Sequence, residues 1–314
     1  MTEDRNSYKN ILKSISLFGG VKIFQILIGI IKNKVIAILL GPNGMGIAGL
    51  ISSSTEMVAA LTGCGLHTSA VRDVAQAHDS KDEKRIGATI TVLRKLVWLT
   101  GLLGMAVVFL MAPMLSVWAF GGKDYTIAFR VVSVIMLFNQ INIGQTVLLQ
   151  GTFHYKYMAK SALLGNVLGL VITLPLYYIF GIKAIVPAII ISSIIALSLS
   201  WYYASKISFH KVKLSIKEWW IKGKGMISLG IVIALTGLAG VGQAYILRIF
   251  IANMGGVNEV GLYVAAFAIS NTYVSLILSS MASDYAPRLS AVANDKQLLI
   301  TTINKQANLL LVIL

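Results

Sequence analysis

The sequence is poor in those residues that chemistry usually needs. One cysteine, Cys64, stands in the whole chain of 314 residues, which leaves no disulfide framework and no thiolate metal site. Four histidines (67, 78, 154 and 210) are scattered, without metal-ligand spacing and without a nucleophile beside them. There is no Walker-type phosphate loop. The glycine-rich "GLAGVG" at 237–242 lies inside an apolar run with no strand before it, so a nucleotide loop is not expected, and ATP does not drive this chain directly. Proline is scarce and charged residues make up only 12% of the chain, about half the share of a soluble domain. The opening "MTEDRNSYKN" lacks a small-residue cleavage site, so no signal peptide is expected.

What fills the chain is hydrophobic sequence, 56% of it, in blocks of roughly 18 to 27 residues, too long for buried core helices. The fold class is an all-α polytopic membrane protein. A net charge of +15 would suggest nucleic acid in a soluble chain. Here the basic residues sit between blocks and report topology, so no nucleic-acid partner is expected.

Spans are expected near Ile15–Leu40, Met45–Thr68, Leu96–Ala119, Ile127–Leu149, Leu163–Phe180, Ala184–Trp201, Met226–Ala252 and Val260–Met281, with a ninth from Leu298. That makes eight to nine helices. The N-terminal segment and the connections after spans two, four, six and eight are rich in Lys and Arg; the connections "GPNG", "GGKDYT", "GIK" and "NMGGVNE" hold only Lys123 and Lys183. The positive-inside rule then puts the N-terminus in the cytoplasm. The basic stretch 211–225, with Trp219 and Trp220, reads as an amphipathic helix lying on anionic inner-leaflet lipids.

A parallel repeat is visible. "AILLGPNGMGIAGLISS" (37–53) and "IFIANMGGVNEVGLYVAAF" (249–267) share an apolar helix end, a Gly/Asn turn and a small-residue helix. Six spans per repeat give two similarly oriented bundles, a transporter architecture. The expected division is a six-helix N-terminal lobe at 1–206, a basic linker at 207–225, and the first part of a second, truncated lobe at 226–314.

Some polar residues sit where a lipid-facing helix would not tolerate them. In "VKIFQILIGIIKNKVIAILL" (21–40), Lys22, Gln25, Gly29 and Lys32 share one arc at 100° per residue, while Lys34 points elsewhere and can snorkel to an interface. Glu56 sits midway along span two, within expected reach of Lys32 or Lys22. Asn139, Asn142, Thr146 and Gln150 share an arc of span four; Gly237, Gly240, Ala244 and Arg248 share one of span seven. Each has a structural reading too: close helix packing for the glycines, interhelical hydrogen bonds for the amides, an interfacial anchor for Arg248. Together they suggest a cationic cavity suited to a phosphate or pyrophosphate.

Three stretches carry a resemblance: "GCGLHTSAVRDVAQ" (63–76), "LLQGTFHYKYMAKSALLGNVLGLVITLPLYYIFGIKAIVPAIIISS" (148–193) and "VGLYVAAFAISNTYVSLILSSMASDYAPRLS" (260–290). In order and spacing they resemble the polysaccharide-biosynthesis flippases, the Wzx-type O-antigen translocases of the multidrug/oligosaccharidyl-lipid/polysaccharide exporter superfamily. The resemblance implies two six-helix lobes around a central cavity, in a bacterial inner membrane, moving a polyprenyl-pyrophosphate-linked oligosaccharide without cofactor or catalysis. Other polysaccharide-assembly membrane proteins are possible partners. On that basis Lys22, Lys32 and Arg248 are candidates for holding pyrophosphate, and Gln25, Asn139, Asn142 and Gln150 for contacting sugar. Glu56 is the candidate ion-coupling group or charge partner. The rival expectations are a peptidoglycan-precursor flippase, a drug/cation antiporter, and a membrane glycan polymerase or ligase. The last would need a larger outer loop than any here.

Overall fold

Length decides where these helices must break. The apolar stretch Phe24–Thr62 holds 39 residues, about 58 Å of helix and about twice the hydrocarbon thickness. It belongs to α1 (Thr2–Thr62), which breaks at Gly41 with φ 62° and ψ −172°. Only glycine adopts that conformation cheaply, and Pro42, which follows, has no N–H to continue the helix. Tyr155–Ala204, with 50 residues, is likewise two crossings, α5 (Tyr155–Phe180) and α6 (Ile185–Ala204), joined by a single turn at Gly181–Ala184.

In this computed structural model the described residues are 2–209, 212, 214–271, 274, 298, 300, 303 and 304, with side chains from Phe24 onward except at 216 and 222. Five apolar stretches among them are long enough to cross a membrane; the two breaks turn these into seven crossings. Helical residues 257–271 follow α7 (Ile216–Gly255). Most of span eight past residue 271, nearly all of span nine and the side chain of Lys22 lie outside the described residues. Two compact units emerge, Ile31–Ala265 and the flanking Met1–Ile30 with Ala266–Leu314. Of the candidate site residues, only Lys22 and Gln25 belong to the second.

Three expected boundaries move. Span two ends at Thr62 rather than Thr68, because Cys64 and Gly65 take positive φ (48° and 56°) and start a separate helix, α2 (Leu66–Asp79). This short helix is amphipathic, burying Leu66, Ala70, Val74 and Ala77. The third helix, α3 (Glu83–Phe120), begins three turns before its apolar run. There the Asp82 carboxylate accepts the N–H groups of Lys84 (2.9 Å) and Arg85 (3.3 Å) and caps it. Finally, the basic amphipathic stretch is continuous with span seven. A capping box between Ser215 and Glu218 starts α7, and Trp219 packs against the α2–α3 core instead of standing free.

Besides a small cluster around Ile90, Leu148, Leu149 and Tyr203, two cores hold the larger unit. One gathers Ile36, Leu40, Leu50 and Ile51 of α1 with Val108 and Leu115 of α3, Phe129 and Val132 of α4 (Thr126–Gly151), Ile185 of α6 and Val260. The other joins Leu66, Ala70 and Val74 to Val92, Leu93, Leu96 and Val97, closed by Met226 of α7. On the opposite face of α3, Leu99, Leu102, Leu103, Phe109 and Leu110 are exposed. An apolar band of that extent belongs against lipid. Where the chain leaves α6, Lys206 sits over the rings of Tyr202 (4.4 Å), Tyr203 (5.3 Å) and Tyr157 (5.9 Å). A hydrogen bond with Tyr202, and the charge interaction with the hydroxyl groups of Tyr202, Tyr157 and Tyr203, raise its pKa above the ordinary lysine value against a smaller opposing effect of desolvation.

Candidate functional site

Glycine lets two helices run side by side. Cys64 and Gly65, at the end of the second crossing, meet Gly230 of α7 backbone to backbone: a Cβ on Gly230 would strike the Cys64 carbonyl, and one on Gly65 would strike that of Gly230. Further along, a Cβ on Gly242 would stand 3.9 Å from the Met57 sulfur. The two helices are therefore antiparallel neighbours. Tyr245 comes next on α7, its buried hydroxyl beside Ser54 and without a hydrogen-bond partner among the described residues; the Ser54 hydroxyl donates to the Leu50 carbonyl (2.7 Å).

Arg248 lies one turn beyond Tyr245 and Glu56 two residues beyond Ser54. The charge that acts on the Glu56 carboxylate is that of Arg248. No ion pair joins them among the described residues. Arg248 is half-buried in an apolar helix, and its Nε is buried without a hydrogen-bond partner. Such a cation at membrane depth is expensive unless something anionic answers it.

Glu56 also helps to line a small cavity of about 70 Å³. Thr55, Glu56, Ala59 and Thr62 of α1 line it, with Thr100 and Gly104 of α3 and Met136, Asn139, Gln140 and Ile143 of α4. Gln140 is buried and donates from Nε2 to the Thr100 hydroxyl at 2.9 Å.

The other candidates are placed as follows. Asn139 reaches the cavity. Asn142 is half-buried one turn on, its carbonyl accepting from Thr146 Oγ1 (3.0 Å). Gln150 is half-buried near the end of α4, about 16 Å along the helix from Asn139. The amide arc of α4 therefore does not converge on one point. Lys32 is half-buried and has no ion pair with Glu56 among the described residues, and the side chain of Lys22, the other expected partner, lies outside them. Lys34 is exposed, and Gln25 is half-buried in the other unit. Gly237 and Gly240 would meet nothing within 4 Å if given a Cβ. No helix packs closely on that face of α7 among the described residues.

Gln140, Thr62 and Thr100 escape the sequence reading. Their only signal is polarity inside apolar helices.

Residues 35–314, most of the chain, match the family described as "Polysaccharide biosynthesis protein". The chain belongs to this family. The Lipid III flippase of Escherichia coli K12 is 24% identical over 279 residues, 86% of this chain and 65% of that protein. The Lipid III flippase of Shigella flexneri gives the same figures. The chain thus spans about 65% of the length of these relatives. Among solved structures, the fold is similar to an inward-facing multidrug resistance MATE family transporter of the MOP superfamily, with a TM-score of 0.72 and 16% identity over 90% of this chain and 67% of that one. It is also similar to the MATE multidrug transporter DinF-BH, with a TM-score of 0.63, 14% identity, and coverage of 96% and 68%. The polysaccharide biosynthesis family read from the three stretches above is the family found, and the all-helical transporter architecture stands with it. Like its fold neighbours, this family member is a multi-pass membrane protein.

Proposed function

We propose that this protein is a flippase that carries a polyprenyl-pyrophosphate-linked oligosaccharide from the cytoplasmic to the outer leaflet by alternating access. The observation that carries the reading is Arg248, a half-buried guanidinium whose Nε has no partner. It lies beside an open glycine face of α7, in a chain whose family makes polysaccharide. The name of the E. coli relative, a Lipid III flippase, agrees with a lipid-linked precursor as cargo. An O-antigen, capsule or exopolysaccharide unit is the finer assignment.

In this reading Arg248, Lys32 and Lys22 hold the pyrophosphate by charge-assisted hydrogen bonds, and Gln25, Asn139, Asn142 and Gln150 meet sugar hydroxyls. Glu56 restrains Arg248 when no anion is bound and exchanges partners as the lobes rock. The protein acts without cofactor or covalent chemistry. Its lobes divide at 206 and 226, and the basic linker between them rests on anionic lipid at the cytoplasmic face of a bacterial inner membrane, on the same side as the N-terminus. A drug/cation antiporter fits the fold equally well. It would want an acidic cavity, and one carboxylate among several cations argues against it.

The test uses Lys32→Cys and Arg248→Cys in a Cys64→Ala background, probed in cells with a membrane-impermeant thiol reagent. Labelling that falls when the lipid-linked glycan is being made supports the assignment. Unlabelled cysteines together with normal glycan export would overturn it.

A further inference from the structure

Four buried side-chain polar atoms lack a hydrogen-bond partner among the described residues, and two of them share one turn of α7. These two are the Tyr245 hydroxyl and Arg248 Nε. The others stand apart, Thr173 Oγ1 on α5 and Trp219 Nε1 in the first turn of α7. Residues three apart on a helix are neighbours, so Tyr245 and Arg248 leave the same side of α7. Tyr245 is 6% exposed, which withholds bulk water from its hydroxyl. Ser54 is buried beside it, yet gives its own hydrogen to the Leu50 carbonyl (2.7 Å). Glu56 feels the Arg248 charge without an ion pair between them among the described residues.

A buried donor without an acceptor destabilises the state that holds it. A guanidinium N–H can only donate, and a phenol hydroxyl has one hydrogen to give. Two such donors side by side are complemented by a single group made of acceptors. A phosphoryl group offers oxygen lone pairs and negative charge, and hydrogen bonds from a guanidinium or a hydroxyl to such an oxygen are the strong ones. In the proposed lobe division α1 belongs to the first lobe and α7 to the second, so rocking of the lobes opens the seam that covers Tyr245.

We infer that Tyr245 is a second phosphoryl-binding residue, whose hydroxyl joins Arg248 on the pyrophosphate once α1 and α7 part and stays unbonded against Ser54 until then. This rests on the proposed flippase function and adds to it a neutral donor. The unbonded hydroxyl makes the closed seam costly, and an anion that takes both donors favours the open one. Stability and binding therefore answer oppositely to loss of the hydroxyl, as they do where function is held at the expense of stability.

The test uses the purified full chain in lipid nanodiscs, with inorganic pyrophosphate as the probe and thermal unfolding and equilibrium binding as readouts. Tyr245→Phe keeps the ring and removes the oxygen. It is expected to melt higher than the wild type without the probe, and to bind pyrophosphate about tenfold more weakly. Ser54→Ala should leave the affinity for pyrophosphate unchanged. A lower melting temperature for Tyr245→Phe would mean that the hydroxyl is bonded in this state, through water or Ser54, and would overturn the inference. So would wild-type affinity in Tyr245→Phe, or an equal loss in Ser54→Ala, which would make the hydroxyl a packing group. Absence of pyrophosphate binding to the wild type would overturn it as well. Failure of Tyr245→Phe to weaken binding leaves thiol protection at Lys32→Cys and Arg248→Cys as it was. Loss of that protection beside an intact Tyr245 effect overturns the lipid-linked cargo and leaves the two-donor anion site.

Discussion

Gly46 lies so close to Val257 that a Cβ on it would run into the Val257 carbonyl. The relationship is returned: a Cβ on Gly261 would run into the carbonyl of Pro42. One shift along the chain carries Pro42 to Val257, Gly46 to Gly261 and Gly49 to Val264, following the repeat seen in the sequence. The first two pairs exchange partners, as an isologous contact requires. Gly49 and Val264 correspond to each other and also touch. A local pseudo-two-fold axis therefore passes beside that pair, and glycine is what lets the two repeats approach there.

A disulfide should form across this axis. A Cβ on Gly49 would stand 3.7 Å from that of Val264, inside the ~3.5–4.5 Å range that disulfides need. In a Cys64→Ala background, Gly49→Cys with Val264→Cys is expected to cross-link intramolecularly under mild oxidant. The readout is a reducible shift in gel mobility, together with loss of glycan export that reductant restores. Export that continues while the cross-link is intact would mean that this contact never opens.

The glycines divide into two classes with opposite responses to alanine or valine. At Gly261 and Gly46 the added carbon meets backbone, which cannot swing aside, so Gly261→Val should cost about 1–3 kcal/mol or more in thermal unfolding. At Gly237 and Gly240 the space is open, and alanine in a helix gains about 0.5–1 kcal/mol over glycine. Gly237→Ala and Gly240→Ala should raise the melting temperature. A fall in both would show that another helix packs on that face.

Much of this was legible in the sequence because bilayer thickness fixes helix length. The "GPNG" break follows from that constraint. Helix α2 was not legible: cysteine gives no warning of a positive φ, so span two read straight through Cys64. The extra turns of α3 were hidden by "DEKR", which reads as a loop although Asp82 is a good cap. At the site, Glu56 and Arg248 stood out as charges in apolar helices, yet periodicity assigns faces and not neighbours, so the nearness of Arg248 to Glu56 was not read from it. Gln140 was missed for a related reason. It adjoins Asn139 but points about 100° away around the helix, off the arc that drew attention.

Asp73 should make α2 sensitive to pH. It is half-buried and faces a cavity of about 690 Å³ that Gln76, Lys84, Arg85 and Glu218 also line. Burial raises its pKa above the ordinary carboxylate value, and the nearby Arg72 offsets this only in part. The raised direction means the folded state prefers the protonated acid. Its contribution is complete below the unfolded pKa of about 3.9 and is lost as pH rises through the folded value. Asp73→Asn should therefore melt higher than the wild type at pH 7, with the gap closing toward pH 4. A lower melting temperature for Asn at pH 7 would mean that the carboxylate is stabilised by a partner.

The Gln140–Thr100 hydrogen bond offers a last measurement, and the size of its effect depends on the medium. In a soluble core, stranding a buried amide costs about 1–3 kcal/mol. Within a bilayer the unfolded helices also find partners, and interhelical couplings average about 0.6 kcal/mol with a maximum near 1.7. Gln140 is buried between α4 and α3 and bonds at 2.9 Å, so the upper part of the membrane range applies. Thr100→Val and Gln140→Leu should each destabilise. The double variant should recover part of the loss, because no polar group is then left alone. A double-mutant cycle on thermal unfolding should return a coupling of about 1–1.7 kcal/mol. Strict additivity would mean the two side chains do not hold one another.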